Sequence, residues 1–326
     1  MKKNIILTGS LAYDYIFDIP DSFSKYIQPD KIHKINISIV TDTHKKSFGG
    51  TAGNQAFHLA RFGLNPTIIT TVGNDFFDYK IFLKKNGVNT NSIEIIKNLP
   101  TAAGFVMTDV KDNQIWMFAT GAMKEARRLS LKSIYASSGV EKLKLNSSRQ
   151  ARTITNSFVL ISPTDLNAMI NIVKESINLN VDFAFDPAFF IPHLPEKTLL
   201  EGVKNSIIIF GNDYEIAFIE KRLKKKITDI VSNRQVVIKT LGDQGSEIYY
   251  NGKWIKVGIY KTKTIDPTGA GDAYRAGFLY GFLNNQPLKT CGWMGAVTAS
   301  FAVEVKGTMN LKFTKKEFLK RLRKLT

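Results

Sequence analysis

Residues 266 to 278 read Asp-Pro-Thr-Gly-Ala-Gly-Asp-Ala-Tyr-Arg-Ala-Gly-Phe. Gly269, Ala270 and Gly271 carry little or no side chain, so their backbone N–H groups can face an anion. The apolar run from Ala273 to Phe282 predicts a helix starting at about Asp272. Its positive dipole end would lie under the same anion. Asp272 then sets a carboxylate beside that anion, suited to take a proton from a hydroxyl that attacks phosphorus. The chemistry implied is phosphoryl transfer to an alcohol.

Four other stretches hold residues with chemical potential. In Gly9-Ser10-Leu11-Ala12-Tyr13-Asp14, Asp14 could accept two hydrogen bonds from a vicinal diol, or sit solvated in a turn. Gly49, Gly50 and Gly53 fall within five residues, just before Asn54; they permit close backbone approach to a ligand, or make a plain turn. Asn212 and Glu215 share one face of a helix start. They could bind Mg2+ largely through water, or close a capping box. Lys239 to Ser246 ends a β-rich run in a turn holding Gly242 and Gly245, which also reads as a hairpin connection because 247–250 and 254–257 look like paired strands. After the motif helix, Ala299 and Ala302 within 296–307 would let a second helix pack closely against it.

The elements that must position these residues alternate. Strands are predicted over 4–8, 67–72, 158–161, 182–185, 206–210 and 235–240, and helices over 53–62, 78–85, 166–178, 215–224 and 271–283. This rhythm predicts an α/β fold in three layers, with a mainly parallel sheet covered on both faces and ligands at the carboxyl ends of its strands. Residues 12–48 and 101–118 break the rhythm and read as hairpin strands outside the main sheet. Residues 139–152 read as a polar loop or frayed helix.

The chain has 326 residues, of which 44% are apolar, enough for a large core. No run of about 18 apolar residues suggests a membrane span. The short apolar patch after Lys2 and Lys3 reads as a first strand, not a secretion signal. Cys291 is the sole cysteine, so neither an internal disulfide nor a cysteine-based zinc site is available, and a cytoplasmic setting fits. The net charge of +17 comes from scattered lysines, with clusters at 221–226 and 315–324. It reads as solvated surface. Attraction of a polyanionic substrate and nucleic-acid binding are the competing readings, and the clusters lack the interleaved aromatics of the latter.

The string Asp-Pro-Thr-Gly-Ala-Gly-Asp-Ala-x-x-Ala-Gly resembles the C-terminal signature of the ribokinase-like (PfkB) carbohydrate and nucleoside kinases. Pro267 and Arg275 bring it nearest the adenosine and nucleoside kinase branch. The other stretches match the family's motifs in order, over about residues 4–310. The resemblance implies one kinase domain over 1–326, with 12–48 and 101–118 forming a β-sheet lid that could also pair two subunits. It implies that Asp272 is the general base and that Gly269, Ala270 and Gly271 form the anion hole. Asp14, Gly50 and Asn54 would hold ribose hydroxyls. Thr240, Gly242 and Gly245 would line the nucleotide, and Glu215 with Asn212 would organise Mg2+. ATP is the implied co-substrate, and a monovalent-ion requirement stays open. The acceptor implied is a nucleoside, adenosine first, with Phe118 as a ring that could stack on its base. A free sugar is the alternative, and a catalytically silent nucleotide binder is a third. Neither a nucleic-acid partner nor a membrane is expected. The 112–115 turn followed by Gly121-Ala122-Met123, together with Phe23-Ser24 and Asp186-Pro187, resembles bacterial adenosine kinase relatives. Ala188-Phe189 stands where such sequences often have Gly-Gln, and Thr120 where they often have Pro.

Overall fold

The computed structural model describes residues 4–27, 34, 36–111, 113–132 and 157–325. The stretch 139–152, Asp112 and part of the 12–48 segment therefore lie outside the described residues.

In chain order the first half contains β1 (Asn4–Thr8), β2 (Ala12–Asp18), β3 (His44–Gly49), α1 (Thr51–Arg61), β4 (Thr67–Gly73), α2 (Phe77–Lys85), β5 (Ile93–Ile96), β6 (Ala102–Thr108), β7 (Gln114–Ala119) and β8 (Ser157–Ile161). There follow α3 (Leu166–Asn178), β9 (Asp182–Phe185), α4 (Glu196–Asn205), β10 (Ile208–Asn212), α5 (Asp213–Leu223), α6 (Ile227–Ile230) and β11 (Val236–Thr240). The chain continues through β12 (Ser246–Tyr250), β13 (Lys253–Val257), α7 (Ala270–Leu283), α8 (Leu288–Ala302) and α9 (Lys315–Leu322). The six strands and five helices expected of the three-layer core are present, with ends displaced by no more than two residues.

The large sheet runs β13-β12-β11-β10-β9-β8-β1-β4-β5, parallel throughout except at β12 and β13. Its strands bury both faces. Ile5, Leu7, Phe158, Leu160, Val236 and Ile238 point into one core, while Ile6, Val159, Ile161 and Val237 point into the other. This alternation with no polar face is what a sheet covered by helices on both sides demands. From β1 the chain steps to β4 on one side and later returns to β8 on the other. That reversal opens a crevice at the carboxyl ends of the strands.

The two segments that broke the rhythm form a second sheet, β3-β2-β6-β7. Here β2 pairs antiparallel with β3 and parallel with β6, and β6 and β7 form a hairpin. Three helices were not anticipated: α4, the four-residue α6 and α9. In α4, Gly202 sits where a Cβ would press on the Phe185 ring at 2.6 Å, so a helix-weakening glycine serves packing. In α9, a lysine-rich stretch that reads as solvated surface folds because Thr314 and Glu317 make a reciprocal capping box and Phe318 is buried. The helix after the motif helix ends at Ala302, short of the expected 307, and residues 303–307 form a turn. Among the described residues no helix is long and apolar enough to cross a membrane.

Candidate functional site

The site lies along the carboxyl ends of the parallel strands. Asp186 directly follows β9, Ser162 follows β8, Asn212 ends β10 and Thr240 ends β11. Into this edge points the start of α7. Gly269 is its N-cap, with φ of 79°, a left-handed conformation that favours glycine. No side chain caps the helix, so the N–H groups of Gly271 and Asp272 remain as donors beside the dipole's positive end. The helix begins two residues earlier than the expected Asp272, which puts Asp272 inside its first turn.

Asp272 is gripped from α1. Asn54 Nδ2 donates to its Oδ2 at 2.8 Å and Gln55 Nε2 to its Oδ1 at 2.9 Å. Ser162 Oγ donates to Gln55 Oε1 at 3.0 Å, which orients that amide with its nitrogen toward the carboxylate. Burial pushes the Asp272 carboxyl up to about 6, while the charge of Arg275 and the two amide bonds hold it down. Asp272 is therefore charged at neutral pH and still basic enough to accept a proton. Asn54 Oδ1 is buried without a partner, an acceptor in need of a donor.

Asp14 lies in β2, where it pairs with Ser47 of β3 and Gly104 of β6. Its carboxylate occupies a slot between two glycines. A Cβ on Gly49 would collide with its Oδ2, and one on Gly104 would lie 2.9 Å from its Oδ1. Asp14 is buried and has no hydrogen-bond partner among the described residues. Burial pushes it up to about 7, helped by the charges of Asp266 and Asp272. Side chains paired across strands share a face. Gly104 faces Phe118 and Val106 faces Trp116 on β7, so both rings flank the carboxylate. The Trp116 ring lies 2.8 Å from where a Gly104 Cβ would stand. Phe118 and Trp116 are 39% and 49% exposed, an apolar wall open toward the site. Gly50, with φ of 90°, is the N-cap of α1 beneath this slot.

A cleft of about 370 Å³ opens on the other side of α7. Thr240, Gly242 and Gly245 line it, as do Ala270 and Gly271 of the anion turn and Ala299 of α8. The sequence-derived nucleotide residues and the anion turn thus share one cavity. Asn212 and Glu215 form the capping box in full: Glu215 N donates to Asn212 Oδ1 and Asn212 N to Glu215 Oε2, both at 2.7 Å. Glu215 Oε1 has no partner among the described residues. Burial, with the charge of Asp186, raises the Glu215 carboxyl above its ordinary range. That surplus of negative charge fits a divalent cation. No cluster of three or more acidic, His or Cys side chains exists among the described residues to cage one, so such an ion would take most of its ligands from water and phosphate.

Sequence reasoning missed Gln55, Gly104 and Trp116. Each acts through a partner distant in the chain, and only the alternation that pairs β6 with β7 hinted at Trp116.

Residues 24–315 match the pfkB family of carbohydrate kinases. The chain is 31% identical over 308 residues to the nucleoside kinase of Methanocaldococcus jannaschii, covering 94% of this chain and 92% of that one. The crystal structure of the M. jannaschii nucleoside kinase, an archaeal member of the ribokinase family, superposes with a TM-score of 0.83 at 30% identity over 99% of both chains. Burkholderia thailandensis nucleoside kinase in complex with ADP-inosine superposes with a TM-score of 0.79 at 25% identity, covering 98% of this chain and 95% of that one. The chain belongs to the pfkB family and is a kinase of the ribokinase-like fold.

Proposed function

We propose that this pfkB-family kinase transfers the γ-phosphoryl group of ATP to the 5′-hydroxyl of a nucleoside, with adenosine as the preferred acceptor. The observation that carries the reading is the pairing of an oriented carboxylate, Asp272, with free N–H donors in one helical turn. The aromatic wall beside Asp14 supports a base-bearing acceptor, as do the nucleoside kinases among its relatives.

In this reading Asp14 accepts hydrogen bonds from the ribose diol, and Gly50 and Asn54 hold the same sugar. Asn54 Oδ1 gains the donor it lacks. Trp116 and Phe118 stack against the base. Asp272 takes the proton of the 5′-hydroxyl as its oxygen forms a bond to phosphorus and the bond from phosphorus to the ADP oxygen breaks. The anion turn of Gly269, Ala270 and Gly271 stabilises the charge that develops on the transferred group, through the free N–H groups of Gly271 and Asp272; the Ala270 N–H itself donates to Pro267 O at 3.2 Å. Thr240, Gly242 and Gly245 line the nucleotide. Glu215, through its free oxygen and water, and Asn212 would hold Mg2+, which when bound neutralises phosphate charge.

A coupled ADP-release assay with Mg-ATP tests this against adenosine, guanosine, inosine, cytidine, ribose and fructose. Turnover on nucleosides, highest with adenosine, is expected. Turnover on free sugars alone would keep the chemistry and replace the acceptor, and silence on every acceptor would overturn the reading.

A further inference from the structure

Arg275 follows Asp272 by one turn of α7 and is only 9% exposed. Its Nε lies 2.6 Å from Asp186 Oδ2, and its Nη2 donates to Asp186 Oδ1 at 2.9 Å, a side-on ion pair. Asp186 is 2% exposed. The Nη2 edge also lies 3.9 Å from Glu215 Oε2. Of the two nitrogens facing Asp186, Nη2 donates the hydrogen bond and Nε, which has none, stands in ion contact; the pair holds the guanidinium side-on and turns Nη1 away from Asp186. Nη1 has no hydrogen-bond partner among the described residues. It lies 2.8 Å from where a Cβ of residue 271 would stand. Residue 271 is glycine, its N–H is one of the free donors of the anion turn, and it lines the cleft. Any side chain there would fill the gap through which Nη1 looks toward the anion.

A buried ion pair is costly and often no better for stability than apolar packing. A pair that served only to hold α7 against β9 would not need a fork with one free prong beside an anion hole. A guanidinium is suited to hold a carboxylate on one edge and a phosphoryl oxygen on another.

We propose that Arg275 is a further catalytic residue, whose Nη1 passes the Gly271 gap and binds the phosphoryl group in transfer. The proposal rests on the phosphoryl-transfer reading of α7. Asp186 is then a positioning residue that aims the guanidinium. Gly271 serves twice, as an N–H donor and as the opening.

The test is steady-state kinetics on R275Q and on the double variant D186N/R275Q, which leaves no lone buried carboxylate. Both are compared with the wild type by thermal melting with ADP, nucleoside and aluminium fluoride, a mimic of the transferring phosphoryl group. Both variants should lose at least about thirtyfold in kcat while acceptor KM moves less than about threefold. The double variant should melt near the wild type when unliganded and bind ADP alone as the wild type does. It should lose the extra stabilisation given by aluminium fluoride. A double variant with kcat within about threefold of wild type, or with undiminished stabilisation by aluminium fluoride, overturns the proposal alone. A wild-type protein silent on every acceptor overturns the reading of the site and this proposal with it.

Discussion

At the start of α7 the charged groups already have protein partners: Asp272 has two amides and Arg275 has Asp186, while beside them one oxygen of Glu215 is held by the backbone it caps. Across the cleft, the small sheet presents a buried carboxylate with no partner among the described residues and two rings open to solvent. The first wall is built for a charge that develops during reaction, where donors must stand ready because reorganising them then would add to the barrier. The second is built for a neutral molecule that brings its own hydroxyls and ring. Its hydrogen bonds are completed only by binding. The difference teaches that loss of a group from the α7 wall should fall on kcat, and loss from the small-sheet wall on acceptor KM.

The largest break would come from Asp272→Asn, which keeps the shape and removes the base. Turnover should fall at least about a hundredfold with nucleotide binding intact. Near-normal turnover in the same assay would remove Asp272 from the base role.

Next is Asp14→Asn. Acceptor KM should rise about tenfold or more with kcat less affected, because an amide offers one acceptor oxygen where a carboxylate offers two. Thermal melting adds a second readout with a definite sign. Asp14 has a folded value of about 7, raised from 3.8. The folded state therefore holds this proton more tightly than the unfolded state. Stability from that source is full below the unfolded value and is lost as pH climbs toward 7. At pH 8 the variant should melt about 3 °C or more above the wild type, with the gain vanishing near pH 4. No gain at pH 8 would mean that the carboxylate is satisfied by a group not seen in the structure.

Smaller, and on the α7 side, is Gln55→Ala. Its amide lowers the Asp272 value, so its loss should move the acid limb of the kcat profile, expected near pH 6, to higher pH, with a several-fold loss at pH 6. An unmoved limb would show that another group sets it.

The smallest is Trp116→Ala, which should raise nucleoside KM about threefold and leave the ATP KM unchanged. Equal losses for nucleosides and free ribose would place Trp116 in the sheet's structure and not at the base.

The anion turn was legible from residues 266 to 278, because a glycine turn, a carboxylate and an apolar run that makes a helix are all local. The capping box of Asn212 and Glu215 was equally local, and both of its readings were visible from the spacing. Arg275 shows the limit. Its place one turn after Asp272 was plain, but its partner Asp186 lies 89 residues away, and nothing near either residue announces the pair. Gly104 is similar: a glycine in an apolar strand segment carries no signal until β2 and β7 are laid against it.

Sequence alone determined the alternation of strands and helices, the anion turn, the carboxylates near it and the two segments of the small sheet, because period and turn chemistry act over a few residues. Only the tertiary structure decided which amides hold Asp272, which glycines make room for Asp14, and where the free edge of Arg275 points. Those depend on packing between elements far apart in the chain, where a missing side chain or the register of one strand sets the distance.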